Sequence, residues 1–115
     1  MGKICGIYKI TNHLGQVYIG QSVNVMKREY HYRTLRCAKQ PKIFDSIMYY
    51  GWRTHKFEII EKCEQEKLNE RELYWSEFYN STSKDGLNSR RTGGAGGYKA
   101  HKELMIKIAE IQKNL

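Results

Sequence analysis

Ile4-Cys5-Gly6-Ile7-Tyr8-Lys9-Ile10-Thr11-Asn12-His13-Leu14-Gly15-Gln16-Val17-Tyr18-Ile19-Gly20 is the stretch that decides the architecture. Ile4, Gly6, Tyr8 and Ile10 alternate onto one side, Cys5, Ile7 and Lys9 onto the other. Apolar residues on both sides predict a strand from Ile4 to Ile10 that is covered on both faces. Thr11 to Gly15 has the turn chemistry and the length of a hairpin loop. Gln16 to Gly20, with Val17, Tyr18 and Ile19, is the returning strand. The chain therefore opens as a β-hairpin, and the remaining elements must cover a small sheet.

Working outward, Ser22 or Asn24 can cap a helix that runs to about Arg36. Lys42 to Tyr50 reads as a second helix, with Pro41 near its first turn and Gly51 just past its end. Phe57, Ile59 and Ile60 mark a third strand, and Glu64 to Tyr79 has a strong helical period that Asn80 to Gly86 breaks. Gly93 to Gly97 is a flexible linker. Tyr98 to about Lys113 predicts a last, basic helix with Leu104, Ile108, Ile111 and Leu115 on one stripe. The order ββ-α-α-β-α plus a tail helix predicts a three-stranded, mainly antiparallel sheet flanked by helices, in class terms α/β or α+β. The expected organisation is a domain over residues 1–92, a linker over 93–97 and a C-terminal helix over 98–115.

The chain has 115 residues, enough for one domain with its own core. No apolar run approaches the roughly 18 residues of a membrane span, and no apolar leader follows Met1, so a cytoplasmic protein of a bacterium or a phage-infected host is expected. Cys5, Cys37 and Cys63 are odd in number and widely spaced, which indicates neither a zinc site nor a disulfide framework. Twenty Lys and Arg against twelve Asp and Glu give a formal charge of +8. That balance favours a nucleic-acid partner over a membrane.

Three constellations stand out as chemistry. Glu72 lies four residues after Leu68 and three before Trp75, inside the apolar stripe that Tyr79 completes, whereas Glu66, Glu70 and Glu77 lie opposite. A carboxylate on an apolar face needs a cation, a metal or several donors; a core-edge acid or a structural ion pair is the bland alternative. Arg28, His31 and Tyr32 share a face at i, i+3 and i+4, and the Arg28 fork suits a phosphate; the alternative is a solvated basic helix. Tyr8 and Tyr18 sit on paired strands within cross-strand reach, where aromatics most often serve as core.

Taken together, Gly6-Ile7-Tyr8, nine intervening residues, Tyr18-Ile19-Gly20, Arg28, Tyr32, Arg71-Glu72-Leu73-Tyr74-Trp75 and Gly86-Leu87-Asn88 resemble, in order, the GIY-YIG nucleases. The similarity covers roughly residues 4 to 90. It implies a central three-stranded antiparallel sheet and a metal-dependent DNA endonuclease that uses one Mg²⁺ or Mn²⁺. By that resemblance Glu72 holds the cation, Arg28 stabilises charge on the phosphoryl oxygens, and Tyr8 takes the proton of the attacking water. Tyr18 and Tyr32 position water or phosphate, and His31 is a second choice of base. A free tyrosine loses its proton near pH 10, so Tyr8 needs help from a nearby cation. Asn88 holds the loop after the Glu72 helix and, with Lys27, Arg33, Arg36, Arg90, Arg91 and Lys99, is expected to contact DNA. Two departures are visible. Gln21 stands where some members have a lysine, and Tyr32 where some homing members have a histidine.

The segment from Arg90 to His101 is similar to the linker that follows the nuclease domain in some homing members, so a homing or phage and mobile-element enzyme is the expected role. Restriction-type or repair-type nicking, or a catalytically silent DNA-binding module of the same fold, are the alternatives. A domain this small is expected either to read little sequence or to cut both strands as a homodimer. The whole mechanism requires the acid of the third long helix to face the hairpin hydroxyls and the guanidinium.

Overall fold

The computed structural model describes residues 2–88. The hairpin strands are β1 (Gly6–Thr11) and β2 (Val17–Ser22), followed by the helices α1 (Val25–Arg33) and α2 (Pro41–Tyr50). A 3-10 turn at Trp52–Thr54 leads into β3 (Lys56–Lys62), and another at Gln65–Lys67 leads into α3 (Leu68–Tyr79). The sheet order is β2-β1-β3, with both pairings antiparallel. This is the α+β sandwich the sequence predicts. The linker and tail helix expected over 93–115 lie outside the described residues.

β1 is the central strand, and its alternation divides the core. Tyr8 and Ile10 face α1 and α2, where they pack with Tyr18, Val25, Tyr32, Ile43, Ile47 and Leu87. Ile7 faces α3, together with Ile19 and Leu68. Both sides are dry: Ile7, Ile10 and Ile19 have no exposed surface. The register against β3 shifts between Ile7 and Tyr8, so Ile7 pairs with Glu61 and Tyr8 with Ile59. That bulge lets the consecutive Ile60 and Glu61 both turn toward α3, Ile60 into the Ile7 cluster and Glu61 onto Arg71 and Trp75.

The hairpin turn is held by one side chain. Asn12 Oδ1 accepts from the backbone N–H of Leu14 and of Gln16, each at 3.0 Å. Its Nδ2 donates to Gln16 Oε1 and to Ser46 Oγ of α2, and Ser46 Oγ lies 2.8 Å from His55 Nε2. The turn is thereby bolted to α2 and to the entry of β3.

The outer edge of β2 is closed by the loop after α3. The Leu87 N–H donates to Val17 O at 2.9 Å. The Asn88 side chain then imitates a strand: its Oδ1 accepts from Ile19 N–H at 2.8 Å, and its Nδ2 donates to Ile19 O at 2.9 Å. An edge strand left with unpaired groups is an aggregation hazard, and two residues remove it here. Lys42 Nζ supports this loop by donating to the carbonyls of Ser83 and Gly86.

Several boundaries differ from the sequence reading; β2 runs Val17–Ser22 rather than Gln16 to Gly20, and α2 starts at Pro41 rather than Lys42. β1 begins at Gly6 rather than Ile4. α1 stops at Arg33 rather than Arg36, because Leu35 adopts a left-handed φ of 62°. The Leu35 and Arg36 N–H groups then bond back to Tyr32 O and His31 O, closing the helix end. α3 begins at Leu68 rather than Glu64, since Gln65–Lys67 winds as the tighter 3-10 turn.

Candidate active site

The three hairpin-side tyrosines meet. Tyr8, Tyr18 and Tyr32 have ring centroids 5.7 to 6.3 Å apart, and the Tyr8 and Tyr32 hydroxyls are hydrogen-bonded at 2.7 Å. Phe57 stacks on Tyr8 and Trp52 on Tyr32. The alternation of β1 and β2 points Tyr8 and Tyr18 to the α1 face, and the inward stripe of α1, Val25 to Tyr32, brings Tyr32 down onto them. These rings are core and hydroxyl cluster at once, with only 1% of Tyr8, 1% of Tyr32 and 6% of Tyr18 exposed.

The glycines of the two tripeptides are close-approach positions. A Cβ on Gly20 would sit 2.3 Å from both the Cζ and the Oη of Tyr8, so the Tyr8 ring tip lies across the edge strand. A Cβ on Gly6 would meet the carbonyl oxygen of Glu61 at 2.1 Å, where β3 crosses. Neither position has room for a side chain.

Glu72 comes from the other layer. Leu68, Glu72 and Ser76 form the buried line of α3, and Glu72 is 7% exposed. Gln21 of β2 donates from its Nε2 to Glu72 Oε2 at 2.5 Å and to Asn69 Oδ1 at 2.9 Å. On the opposite flank of α3, Glu61 of β3 accepts from Arg71 Nε at 2.8 and 3.0 Å and from Trp75 Nε1 at 2.8 Å. The rotation of α3 is thus pinned to β2 and to β3, and Glu72 has one place to go.

Electrostatics links the two layers. Burial pushes the Tyr8 hydroxyl well above its ordinary range; Tyr18 and the Glu72 carboxylate push the same way, while the Tyr32 hydrogen bond and the Arg28 guanidinium oppose them. Tyr18 is raised to about 12, first by burial and then by Glu72, against the Tyr32 bond and Arg28. Tyr32 is raised as well, by burial and its two tyrosine neighbours. Arg28 and Glu72 therefore both act on the same two hydroxyls. The three hydroxyls lie on the α1 side of the sheet, and Glu72, held by Gln21 of β2, lies on the α3 side.

The other expected residues are placed as follows. Arg28 is half-buried on the inward side of α1. His31 is half-buried with Tyr30 as its ring neighbour at 6.5 Å, and no described contact joins it to Tyr8, Tyr18 or Glu72. Lys27 is exposed near the start of α1. Arg33 is exposed, bonded to Glu29 at 3.4 Å and set over the Tyr30 ring. Arg36 lies past the helix end, also over Tyr30. Asn88, expected at DNA as well as in the loop, is 3% exposed with both ends of its amide on Ile19, so its side chain is spent on the edge strand. Arg90, Arg91 and Lys99 lie outside the described residues. Gln21, Asn12, Arg71 and Trp75 are the positioning residues that pattern reasoning missed. Gln21 was visible only as a departure from lysine.

The donor chemistry suits one kind of ion. Among the described residues no three His, Cys, Asp or Glu side chains gather in a metal-binding group. A single carboxylate beside amide groups fits a hard divalent cation that keeps most of its water shell, as Mg²⁺ does, and does not fit a zinc-type cage.

Residues 4–88 match the family model of the GIY-YIG catalytic domain. Two solved structures are similar in fold. One is a mutant of the catalytic domain of the intron endonuclease I-TevI, at 28% identity and a TM-score of 0.67, with 77% of this chain and 96% of that chain covered. The other is the catalytic domain of the homing endonuclease I-TevI, at 30% identity and a TM-score of 0.63, with 73% and 96% covered. No curated protein matches the chain. A family model spanning the whole described sheet and its helices shows that this chain belongs to the GIY-YIG family of endonucleases.

Proposed function

We propose that this endonuclease hydrolyses DNA phosphodiesters with Mg²⁺ or Mn²⁺, in the service of a phage or mobile genetic element. The observation that carries the reading is the packed hydroxyl cluster of Tyr8, Tyr18 and Tyr32, with the buried Glu72 carboxylate held by Gln21 of the same hairpin. Charge +8 and the likeness to a homing and an intron endonuclease favour DNA and the mobile-element role. No helix among the described residues is long and apolar enough to cross a membrane.

Hydrolysis adds water to phosphorus, breaks the bond to the leaving sugar oxygen, and moves one proton from the water and one to the leaving group. Glu72 and Gln21 mark where a divalent ion would be held; its chemistry there is Lewis-acid neutralisation of the scissile phosphate and the leaving oxygen. Arg28 stabilises the charge that grows on the phosphoryl oxygens. Tyr8, after giving up its own proton to solvent, accepts the water proton as a tyrosinate, and solvent water supplies the proton that the leaving sugar oxygen takes. Burial and Glu72 hold its own proton on, and positive charge at the site takes it off, a direction in which Arg28 already works. Tyr32 keeps the Tyr8 hydroxyl aimed, and Tyr18 supports the same hydroxyl layer. Lys27, Arg33 and Arg36 line the outer side of α1 and its end, where they meet backbone phosphates.

One site on a domain this small predicts weak sequence preference for the monomer, or double-strand cutting by a homodimer. Supercoiled plasmid incubated with the protein and Mg²⁺ tests the reading: nicked product that disappears in Glu72→Ala and in chelator supports it. Binding with no cleavage under any divalent ion would leave a silent DNA-binding module.

A further inference from the structure

We infer that Gln21 is a charge-neutral holder of the Glu72 carboxylate, and that its neutrality sets how tightly the site takes a divalent cation. The inference rests on the reading of Glu72 as the cation-holding residue. Gln21 pairs with Ile7 in the hairpin register, on the α3 face of edge strand β2. Both protons of its amide nitrogen are spent on α3, one on Glu72 Oε2 and one on Asn69 Oδ1, residues three apart on one helix face. The orientation is dictated by the partners: a carboxylate only accepts, so the Nε2 end of the amide must face it.

The contact therefore orients Glu72 without cancelling its charge. A lysine in the same place would also donate to the carboxylate, but would bring a full positive charge to the spot that a cation must occupy. A glutamate would add negative charge there and lose the donor. Partners that orient a metal-holding side chain without touching the metal are generally worth about 10- to 100-fold in affinity or activity.

The probe is Mn²⁺ alone, titrated into the metal-free protein while NMR signals are followed for paramagnetic broadening. In the natural chain, signals of Glu72, Gln21 and Asn69 broaden first. Gln21→Lys raises the Mn²⁺ needed for that broadening by about tenfold, and raises the Mg²⁺ for half-maximal plasmid nicking in parallel. Gln21→Glu shifts both the other way. Gln21→Met, which keeps the shape and removes the donors, lowers nicking about tenfold at saturating Mg²⁺ with DNA affinity unchanged. Opposite shifts from the two charged variants are what a merely structural role would not give. Equal losses in both, or no change in either, overturn the inference. Broadening around Glu72 that persists in Glu72→Gln would instead overturn the cation-holding reading beneath it. Melting temperatures of all variants, within a few degrees of the natural chain, establish that each is folded.

Discussion

On one face of the sheet the core is made of rings that carry hydroxyls: Tyr8, Tyr18 and Tyr32, stacked against Phe57 and Trp52. On the other it is made of Ile7, Ile19 and Leu68, and the acid enters only at the rim, held by Gln21. The first layer cannot change its chemistry without changing its packing. The second keeps the two apart, since Glu72 can be altered while the aliphatic core stays intact. A site assembled around an edge strand from two unlike layers should respond to mutation in two unlike ways.

The largest effect belongs to the rim. Glu72→Gln keeps the shape and an acceptor for Gln21, so cleavage in a single-turnover assay falls at least about a thousandfold while stability moves by less than about 1 kcal/mol. A loss of several kcal/mol of stability in that variant would show that the acid is a structural member after all. Tyr8→Phe sharpens the contrast, because it loses both. Removing a proton acceptor costs about 100-fold or more in rate. Taking away one of the two hydrogen-bond partners of the buried Tyr32 hydroxyl, with Tyr18 remaining, costs roughly 0.5–1.5 kcal/mol in denaturant unfolding. Gly20→Ala should resemble Tyr8→Phe, since the new methyl displaces the same ring tip.

Alkaline pH should separate the faces without any mutation. Buried Tyr18, raised to about 12, keeps a proton that the unfolded chain releases near 10. Its contribution is therefore complete below pH 10 and is lost as pH climbs toward 12, by about 2 kcal/mol from Tyr18 alone. Urea unfolding at pH 8, 10 and 11 follows this, and Tyr18→Phe should flatten the decline; an unchanged slope would mean that the hydroxyl layer is more open than its packing. The smallest effect lies at the helix ends. α1 closes on Leu35 and α3 on Asn80, both left-handed, with φ of 62° and 52°. Asparagine tolerates that region and leucine does not, so Leu35→Asn should raise stability by about 0.5–1 kcal/mol and Asn80→Leu lower it by a similar amount.

These contrasts mark what the sequence could and could not disclose. The hairpin, the order of elements and the two-sided burial of β1 follow from alternation and turn residues, which are local. Glu72 announced itself because its stripe is otherwise apolar. The end of α1 was misplaced because Leu35 carries no signal for a left-handed turn. Asn88 read as a residue that holds its loop and contacts DNA, because nothing local says that β2 lacks a neighbour for its Ile19 backbone. Gln21 looked like a missing lysine, since its partners lie 48 and 51 residues away. What pattern cannot supply is which face of the sheet a later helix will cover, and so the meeting of two layers at one edge was legible only in three dimensions.

The most direct test of that meeting is a double-mutant cycle on single-turnover cleavage between Tyr8→Phe, from the hydroxyl layer, and Glu72→Asp, which keeps a shortened acid in the other. If the two layers form one catalytic unit, the double variant should be little slower than the worse single variant, with a coupling of at least about 1 kcal/mol. Rate losses that simply multiply would contradict a shared site around β2.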